Sequence, residues 1–164
     1  MEEFDVVDIN RNMMGYTKTR GEELLDNEYN TGVELWNFYN HKLLMTQRAS
    51  NKSHPFEWEV PGGCSQKGET SIDTLLREIN EEIGYKLDHN YELIGTSLYK
   101  HNYVDSYKSN INIDINNCIL QDSEINDIKY FTKDEFIKLN NDNKIVKSNY
   151  NRYLEYQDLL DKDW

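Results

Sequence analysis

The segment LLREINEEIGY, Leu75–Tyr85, carries three glutamates in the half of a predicted helix that least favours them. Glu78, Glu81 and Glu82 crowd one side just before Gly84, although a helix C-terminus carries partial negative charge and favours cations. Carboxylates at i,i+3 and i,i+4 also repel one another by about 0.2–0.5 kcal/mol. Such a cluster is either a solvated helix face or a set of hard oxygen ligands for a divalent cation.

The helix that must position these acids has recognisable end signals. Thr70 or Ser71 can cap its N-terminus, and Gly84 can adopt the left-handed conformation that ends it. At about 100° per residue, the other two glutamates fall within about 60° of Glu78 on the helical wheel. An apolar stripe beside this acidic face predicts burial against a core. The stripe comprises Ile72, Leu75, Leu76, Ile79 and Ile83.

The residues upstream of the helix complete a longer pattern. From Gly63 the chain reads GCSQKGETSIDTLLREINEEIGY, in which Glu69 follows after five residues and Arg77 after seven more. This arrangement resembles the Nudix box, G-x5-E-x7-R-E-U-x-E-E-x-G-U, where U is a bulky aliphatic residue. All seven fixed letters are present between residues 63 and 85. The one departure is Tyr85 at the final U, which affects packing more than chemistry.

The resemblance extends beyond the box to most of residues 4–140. The stretches EYNTGVELWNFY and LLMTQRASNKSHPFEWEVPGG resemble the Nudix subgroup related to isopentenyl-diphosphate isomerase. The stretch SEINDIKYFTKDEF resembles the strand and helix that usually close a Nudix domain. The likeness implies an α+β Nudix fold, an α/β/α sandwich around a mixed β-sheet, with residues 1–164 forming a single domain.

The resemblance also implies a hydrolase that cleaves a diphosphate linkage in a nucleoside diphosphate joined to another moiety. The expected cofactor is Mg²⁺, with Mn²⁺ as an alternative, because a divalent ion neutralises the polyanionic bridge and lowers the pKa of the attacking water. Glu81 and Glu82 match the metal-binding pair of the family, and Glu78 matches a position that either binds metal or acts as general base. The backbone carbonyl of Gly62 is expected to be a further ligand, as the same turn is in relatives.

The catalytic group that the resemblance implies is Glu78 together with Glu69 and Arg77. Glu69 matches the first glutamate of the box, which orients or pairs with Arg77, so that Arg77 is scaffold rather than a clamp on the substrate. Carboxylates this close titrate as a group, which leaves the general base unassigned. Outside the box, Arg48 is a candidate for binding substrate phosphate and Glu124 for an additional acid at the substrate site. Surface charge is the alternative for both.

The composition of the whole chain limits the choice of partners. The 164 residues carry a net charge of −12 and a pI of about 4.7, and such a field repels nucleic acid and anionic membranes. The expected partner is therefore a small-molecule diphosphate, and neither a nucleic acid polymer nor a membrane. Cys64 and Cys118 do not make a disulfide framework, and no signal peptide or long apolar run is present. These features favour a cytoplasmic location and leave a homodimer open.

Hydrophobic periodicity predicts strands on both sides of the acidic helix and about three helices in total, which favours an α/β sandwich around one sheet. Thr132 and Glu135 form a capping-box pattern that opens one helix, and a terminal helix is expected over about residues 148–161. A turn is expected at Asn10–Gly15. The predicted strands are Phe4–Ile9, Gly32–Asn40, Lys42–Ala49, Tyr91–Tyr99, Ser109–Leu120 and Ile125–Phe131.

Two other functions stay open. An isomerase of isopentenyl diphosphate would need a protonating Cys and Glu on opposite faces of the substrate and a separate His-rich metal site, whereas Cys64 lies inside the box and the four histidines are scattered. A non-catalytic Nudix domain that senses a nucleotide is the other alternative. Such domains usually lose glutamates of the box, and this chain has all four. No motif identifies the substrate.

Overall fold

A computed structural model describes residues 1–164 and contains nine strands and four α-helices. The strands are β1 (Glu3–Val7), β2 (Met13–Thr19), β3 (Asn30–Tyr39), β4 (Lys42–Arg48), β5 (Trp58–Glu59), β6 (Gly62–Cys64), β7 (Tyr91–Tyr99), β8 (Asn102–Ser109) and β9 (Ile125–Phe131). The helices are α1 (Ser71–Ile83), α2 (Lys133–Asn141), α3 (Lys147–Glu155) and α4 (Gln157–Leu160). β1 and β2 form a separate hairpin, and the other seven strands form one mixed sheet.

The main sheet divides into two halves that diverge from a single hairpin. β3 and β4 pair only beside their turn, where Phe38 faces Leu43 and Tyr39 faces Lys42. Farther along, β6 pairs with β3, while β5 and β9 pair with β4. On its other edge β3 runs parallel to β8, and β8 pairs with β7. The divergence of the two halves opens the space in which the candidate site lies.

Two apolar cores hold helices on the two faces of the sheet. One face packs on α1, whose Leu75, Ile79 and Ile83 are fully buried. The opposite face packs on α2, α3 and α4 through a cluster rich in aromatic rings. Burying one large apolar side chain contributes about 1.5–3 kcal/mol relative to leaving it exposed. The predicted α+β class, with helices on both sides of a mixed sheet, is confirmed.

The acidic helix α1 begins and ends at the residues that the sequence indicates. The backbone N–H of Asp73 donates to Thr70 Oγ1 at 3.2 Å, and the N–H of Thr70 donates to the Asp73 carboxylate at 2.9 Å, which completes a capping box. Gly84 ends the helix in the left-handed conformation, with φ 67°. No basic residue lies in the last turn. The last turn of the helix therefore supplies no cation for Glu82, and the nearest base on the helix is Arg77, one turn earlier.

The strand predicted over Ser109–Leu120 is wrong, because β8 ends where that segment begins. Ile111 and Ile113 nevertheless pack on the core beside α1. Their backbone N–H groups donate to side chains instead of to a neighbouring strand: Ile111 to Asn37 Oδ1 at 3.0 Å and Ile113 to the Tyr130 hydroxyl at 3.2 Å. An irregular segment with such partners buries alternate residues as a strand does, so periodicity alone did not distinguish the two.

Four further elements differ from expectation. β2 and β8 were not predicted, because their many polar residues obscure the alternation of apolar and polar positions. Pairing with neighbouring strands stabilises both of them. Since β2 begins at Met13, the turn expected at Asn10–Gly15 is shorter. The terminal helix divides into α3 and α4 at Tyr156, whose hydroxyl hydrogen-bonds to Ser97 at 2.8 Å.

Candidate active site

Arg77 is the centre of an ion-pair network on the acidic face of α1. Its Nη1 donates to Glu78 at 3.0 Å and to Glu81 at 2.9 Å, and its Nε donates to Glu69 at 2.5 Å. Its Nη2 donates to the carbonyl of Cys64 at 2.9 Å and to Glu69 at 3.0 Å. Although burial acts to lower the pKa of Arg77, the bonds to the three glutamates raise it overall. All five N–H groups of Arg77 are therefore engaged with the protein.

Glu69 lies behind Arg77 and lines a neighbouring cavity of about 150 Å³. Its carboxylate also accepts from the N–H of Gln66 at 2.8 Å and from the hydroxyl of Thr74 at 3.0 Å. Burial acts to raise the pKa of Glu69, but the bonds from Arg77 and these neighbours lower it overall. These contacts favour an ionised Glu69 that orients Arg77, and its assignment to the catalytic group stays a prediction.

Glu82 is a buried carboxylate without a cationic partner. Its side chain lies beneath β6, the residue is 7% exposed, and its one hydrogen-bond donor is the N–H of Gly62 at 3.0 Å. Burial, with repulsion from Glu59 and Glu78, raises the pKa of Glu82 well above its ordinary value. A buried carboxylate destabilises a protein by several kcal/mol unless it is paired. This position therefore has a deficit of positive charge.

Gly63 allows β6 to pass directly against the acids of α1. A Cβ at this residue would lie 2.3 Å from Glu78 Oε1, so any larger residue would displace that carboxylate. Gly62 is equally confined, since a Cβ there would lie 2.2 Å from the carbonyl oxygen of Val33. Burial raises the pKa of Glu78, against the lowering effect of Arg77. The glycine pair thus brings backbone atoms and carboxylates together.

A second group of paired charges lines the same cavity from the other half of the sheet. Arg48 Nη1 donates to Glu59 at 2.6 Å, and its other nitrogens donate to Ser53. Lys52 pairs with Glu124. Burial raises the pKa of Glu59, which Arg48 opposes. The structure brings Arg48 and Glu124 to the cavity, but both are bound to protein partners, so their contact with a substrate stays a prediction.

The cavity between these groups has a volume of about 280 Å³ and extends to the base of α3. Sequence reasoning missed the residues that line this end, which are Glu34, Asn149 and Arg152. Glu34 is almost fully buried in β3, in the middle of an apolar stretch. A glutamate at an inward position of such a strand is the signal that could have drawn attention to it. Its partners on α3 could not be inferred from their spacing.

The donor set around the acidic face fits a divalent cation. No three His, Cys, Asp or Glu side chains in the protein are already grouped closely enough to hold a metal ion. Mg²⁺ does not require such a group, because it keeps several waters and is usually bound by one or two carboxylates together with substrate phosphates. Glu82 lacks a compensating charge, Glu78 lies beside it, and the side chain of Glu81 is 45% exposed and held by Arg77.

Comparisons with known proteins place the chain among its relatives. The NUDIX domain matches residues 28–153. An uncharacterised Nudix hydrolase of Listeria monocytogenes is 29% identical over 155 residues, which cover 89% of each chain. DR0079 from Deinococcus radiodurans has the same fold, with a TM-score of 0.76 over 99% of both chains at 17% identity. The NUDIX domain of Shewanella oneidensis NrtR, complexed with ADP ribose, aligns with a TM-score of 0.55 at 19% identity over 76% of this chain and 82% of that one.

The domain match covers most of the chain and includes the acidic helix, the glycine turn and the sheet that positions them. The chain therefore belongs to the Nudix family, and the resemblance of its box is confirmed. It is a Nudix hydrolase, a class of enzyme that acts on pyrophosphate bonds and generally depends on a divalent metal ion. None of its helices combines the length and apolarity needed to traverse a lipid bilayer.

Proposed function

We propose that the protein is a Mg²⁺-dependent hydrolase that cleaves the diphosphate linkage of a nucleoside diphosphate joined to another small moiety. The observation that carries this proposal is the buried carboxylate of Glu82, which has a backbone N–H as its one donor. A cation beside Glu82 would compensate that charge. The adjoining cavity, lined by both acids and bases, has the mixed polarity that a metal-bound diphosphate requires.

The protein ligands of the metal would come from Glu78, Glu81, Glu82 and the backbone carbonyl of Gly62, with one or two of the carboxylates bound at a time. When bound, the metal supplies charge neutralisation at the diphosphate and lowers the pKa of the attacking water. Arg77 keeps the neighbouring carboxylates in place, because each of its nitrogens is bonded to this group or to the turn before it.

The attacking water would lose its proton to the carboxylate group around Glu78. Burial raises the pKa of Glu78, and a carboxylate with a raised pKa accepts a proton more readily than an ordinary one. Because the acids interact closely, the proton belongs to the group rather than to one member. Gly63 maintains this arrangement by leaving room for the Glu78 carboxylate.

A panel assay with Mg²⁺ tests the proposal. The panel contains ADP-ribose, NADH, nucleotide sugars, dinucleoside polyphosphates, deoxynucleoside triphosphates and prenyl diphosphates, and phosphorus NMR follows the products. ADP-ribose comes first because a NUDIX domain of the same fold is complexed with it. We expect phosphate or monophosphate release in Mg²⁺, none in EDTA, and one oxygen from labelled water in the product.

The same panel separates the alternatives. Double-bond migration in isopentenyl diphosphate without phosphate release would indicate the isomerase. Binding of a nucleotide without turnover would indicate the sensor. The Glu82→Gln variant is the matched control, and hydrolysis at the wild-type rate in that variant would contradict the role given to the buried acid.

A further inference from the structure

Arg152 is a cation that lines the cavity but lies outside the Nudix box. It lies on α3, on the opposite face of the sheet from α1, and it lines the 280 Å³ cavity. Its side chain is 14% exposed, and its Nε donates to Glu34 at 2.7 Å. Neither terminal nitrogen of its guanidinium has an acceptor within the protein. Four N–H donors are thus left over on a mostly buried side chain at the cavity wall.

Glu34 holds this guanidinium in a fixed position. The Glu34 carboxylate also accepts from Trp36 Nε1 at 2.8 Å, from the Ser106 hydroxyl at 2.6 Å and from Asn149 Nδ2 at 3.0 Å. Four donors from three elements therefore orient one buried acid. A cation held by such a partner is ordered before any ligand arrives, which lowers the entropic cost of binding.

Three of the other cations of the cavity are bonded to protein partners, and the fourth, Arg20, is largely exposed. Arg77 and Arg48 use both terminal nitrogens on protein acceptors. Lys52 pairs with a glutamate across the cavity wall. Arg20 pairs with Glu2 at the rim, where its side chain is 55% exposed. Arg152 alone combines burial with two unpaired terminal nitrogens.

We infer that Arg152 binds a phosphate group of the substrate through its two terminal nitrogens. A guanidinium matches phosphate with two parallel hydrogen bonds, which an ammonium group cannot do. Arg152 would then contact the diphosphate from one side of the cavity, while the acids of α1 would hold the metal ion on another. That the anion is a diphosphate rests on the proposed function. The observation that both terminal nitrogens of Arg152 are unpaired does not depend on whether the protein hydrolyses anything. The ion pair with Glu34 uses only the Nε of Arg152 and leaves its two terminal nitrogens available for a ligand.

Binding of inorganic pyrophosphate in Mg²⁺, measured by calorimetry, tests this inference without any turnover. Arg152→Ala should weaken binding by about 10- to 100-fold, because hydrogen bonds to charged groups are lost. Arg152→Lys should recover only part of the affinity, since it supplies a point charge and no fork. Added guanidinium ion should partly restore binding to Arg152→Ala, which a purely structural role would not predict. Arg20→Ala is the matched control and should bind almost as wild type does.

The binding measurements on the Arg152 variants can support or overturn the inference. Unchanged pyrophosphate affinity in a folded Arg152→Ala variant, checked by circular dichroism, would overturn the inference even where diphosphates are hydrolysed. Failure of the wild type to bind pyrophosphate would overturn it as well. Binding that depends on Arg152 in a protein that hydrolyses nothing would contradict the proposed function and support the inference. If the alanine variant does not fold, Arg152→Lys keeps a donor for Glu34 and allows the same comparison.

Discussion

At the residue scale, the buried carboxylate of Glu82 lowers the stability of the fold but suits the proposed binding of a cation. Its carboxylate lies in a buried position with only the Gly62 N–H for support, and burial raises its pKa. Without a cation the charged form destabilises the fold. With a cation the same burial strengthens the electrostatic attraction, because the effective dielectric constant is low. We therefore propose that the uncompensated charge of Glu82 favours the binding of a cation at this site.

The Glu82→Gln variant tests this opposition. In EDTA at neutral pH we expect it to be more stable than the wild type by about 1 kcal/mol or more, which corresponds to about 2–4 °C in Tm for a chain of this size. In Mg²⁺ its turnover should fall by at least about 100-fold, since a metal contributes several kcal/mol to the transition state. Thermal unfolding with and without Mg²⁺ measures the first effect and the panel assay the second.

Glu81→Gln is the matched control for stability, because Glu81 is 45% exposed and paired with Arg77. It should not raise Tm in EDTA. If Glu82→Gln is no more stable than Glu81→Gln, the buried charge at Glu82 is compensated by something other than a metal.

The Gly63→Ala variant should change the position of the Glu78 carboxylate without unfolding the protein. Its new Cβ would lie 2.3 Å from Glu78 Oε1, the flexible end of a side chain. We expect that carboxylate to move, with little change in Tm and a loss of turnover of at least about tenfold, because a displacement of about 1 Å at a catalytic group can cost 100-fold. Thermal unfolding and steady-state rates in Mg²⁺ measure the two effects. Full activity would show that the position of Glu78 is not critical.

At the scale of elements, a partly buried ion pair joins the N-terminal hairpin to the main sheet. Arg11, in the turn between β1 and β2, makes two hydrogen bonds to Asp105 on β8 at 2.8 and 2.9 Å. Asp105 is buried and also accepts from the Thr96 hydroxyl at 2.6 Å. Burial acts to raise the pKa of Asp105, but the bonds from Arg11 and its neighbours lower it overall. This pair therefore adds a long-range contact to the backbone hydrogen bonds between Val7 and Tyr29 that also hold the hairpin.

Arg11→Met should destabilise the protein by about 1–3 kcal/mol, because it leaves a buried carboxylate without its main partner. Adding Asp105→Asn should recover part of the loss by removing the unpaired charge. Urea unfolding of the two single variants and the double variant measures the coupling. Arg20→Met is the control, since Arg20 and Glu2 form an exposed pair that contributes less than about 1 kcal/mol. Equal losses in the two arginine variants would contradict the anchoring role.

At the scale of the whole molecule, the acids fall into two groups with opposite effects on stability. Burial raises the pKa of Glu59, Glu78 and Glu82 near the cavity. Away from it, the pKa of Glu28 is lowered to about 2 by hydrogen bonds from Lys18, the backbone N–H of Leu25 and Tyr16. A net charge of −12 adds general repulsion as the pH rises. Stability therefore decreases on both sides of a mildly acidic optimum.

The pH profile in EDTA should show this optimum at mildly acidic pH. Acids with a lowered pKa stabilise the fold above their unfolded pKa of about 4, and that contribution is lost as the pH falls. Acids with a raised pKa stabilise it below that value, and their contribution is lost as the pH rises through the raised pKa. Mg²⁺ should remove the decline on the alkaline side by pairing with the cavity acids. Urea midpoints from pH 3 to 8, with and without Mg²⁺, measure the profile.

Glu28→Gln isolates the acidic limb of that profile. It should flatten the loss of stability between about pH 4.5 and pH 2, because the titrating group is removed. Glu23→Gln is the control, since Glu23 is exposed in the same segment. An unchanged slope in Glu28→Gln would show that other carboxylates control acid unfolding.

The sequence by itself determined the family and the local geometry of its acids. The motif from Gly63 to Gly84 is a pattern of residues close together in the chain. The ends of α1 likewise follow from nearby residues, a capping threonine and a left-handed glycine. One periodic helix is enough to put Glu78, Glu81 and Glu82 on one side. These inferences held because each depends on residues within a few turns of one another.

Only the tertiary structure decided which charges are paired. It showed that Arg77 has no free N–H, that Glu82 has no cation, and that Arg152 meets Glu34 from 118 residues away. It also replaced the strand expected after Ser109 by an irregular segment, because side chains from distant strands satisfy its backbone. Partners brought together by folding set burial and charge compensation, and no spacing along the chain encodes them.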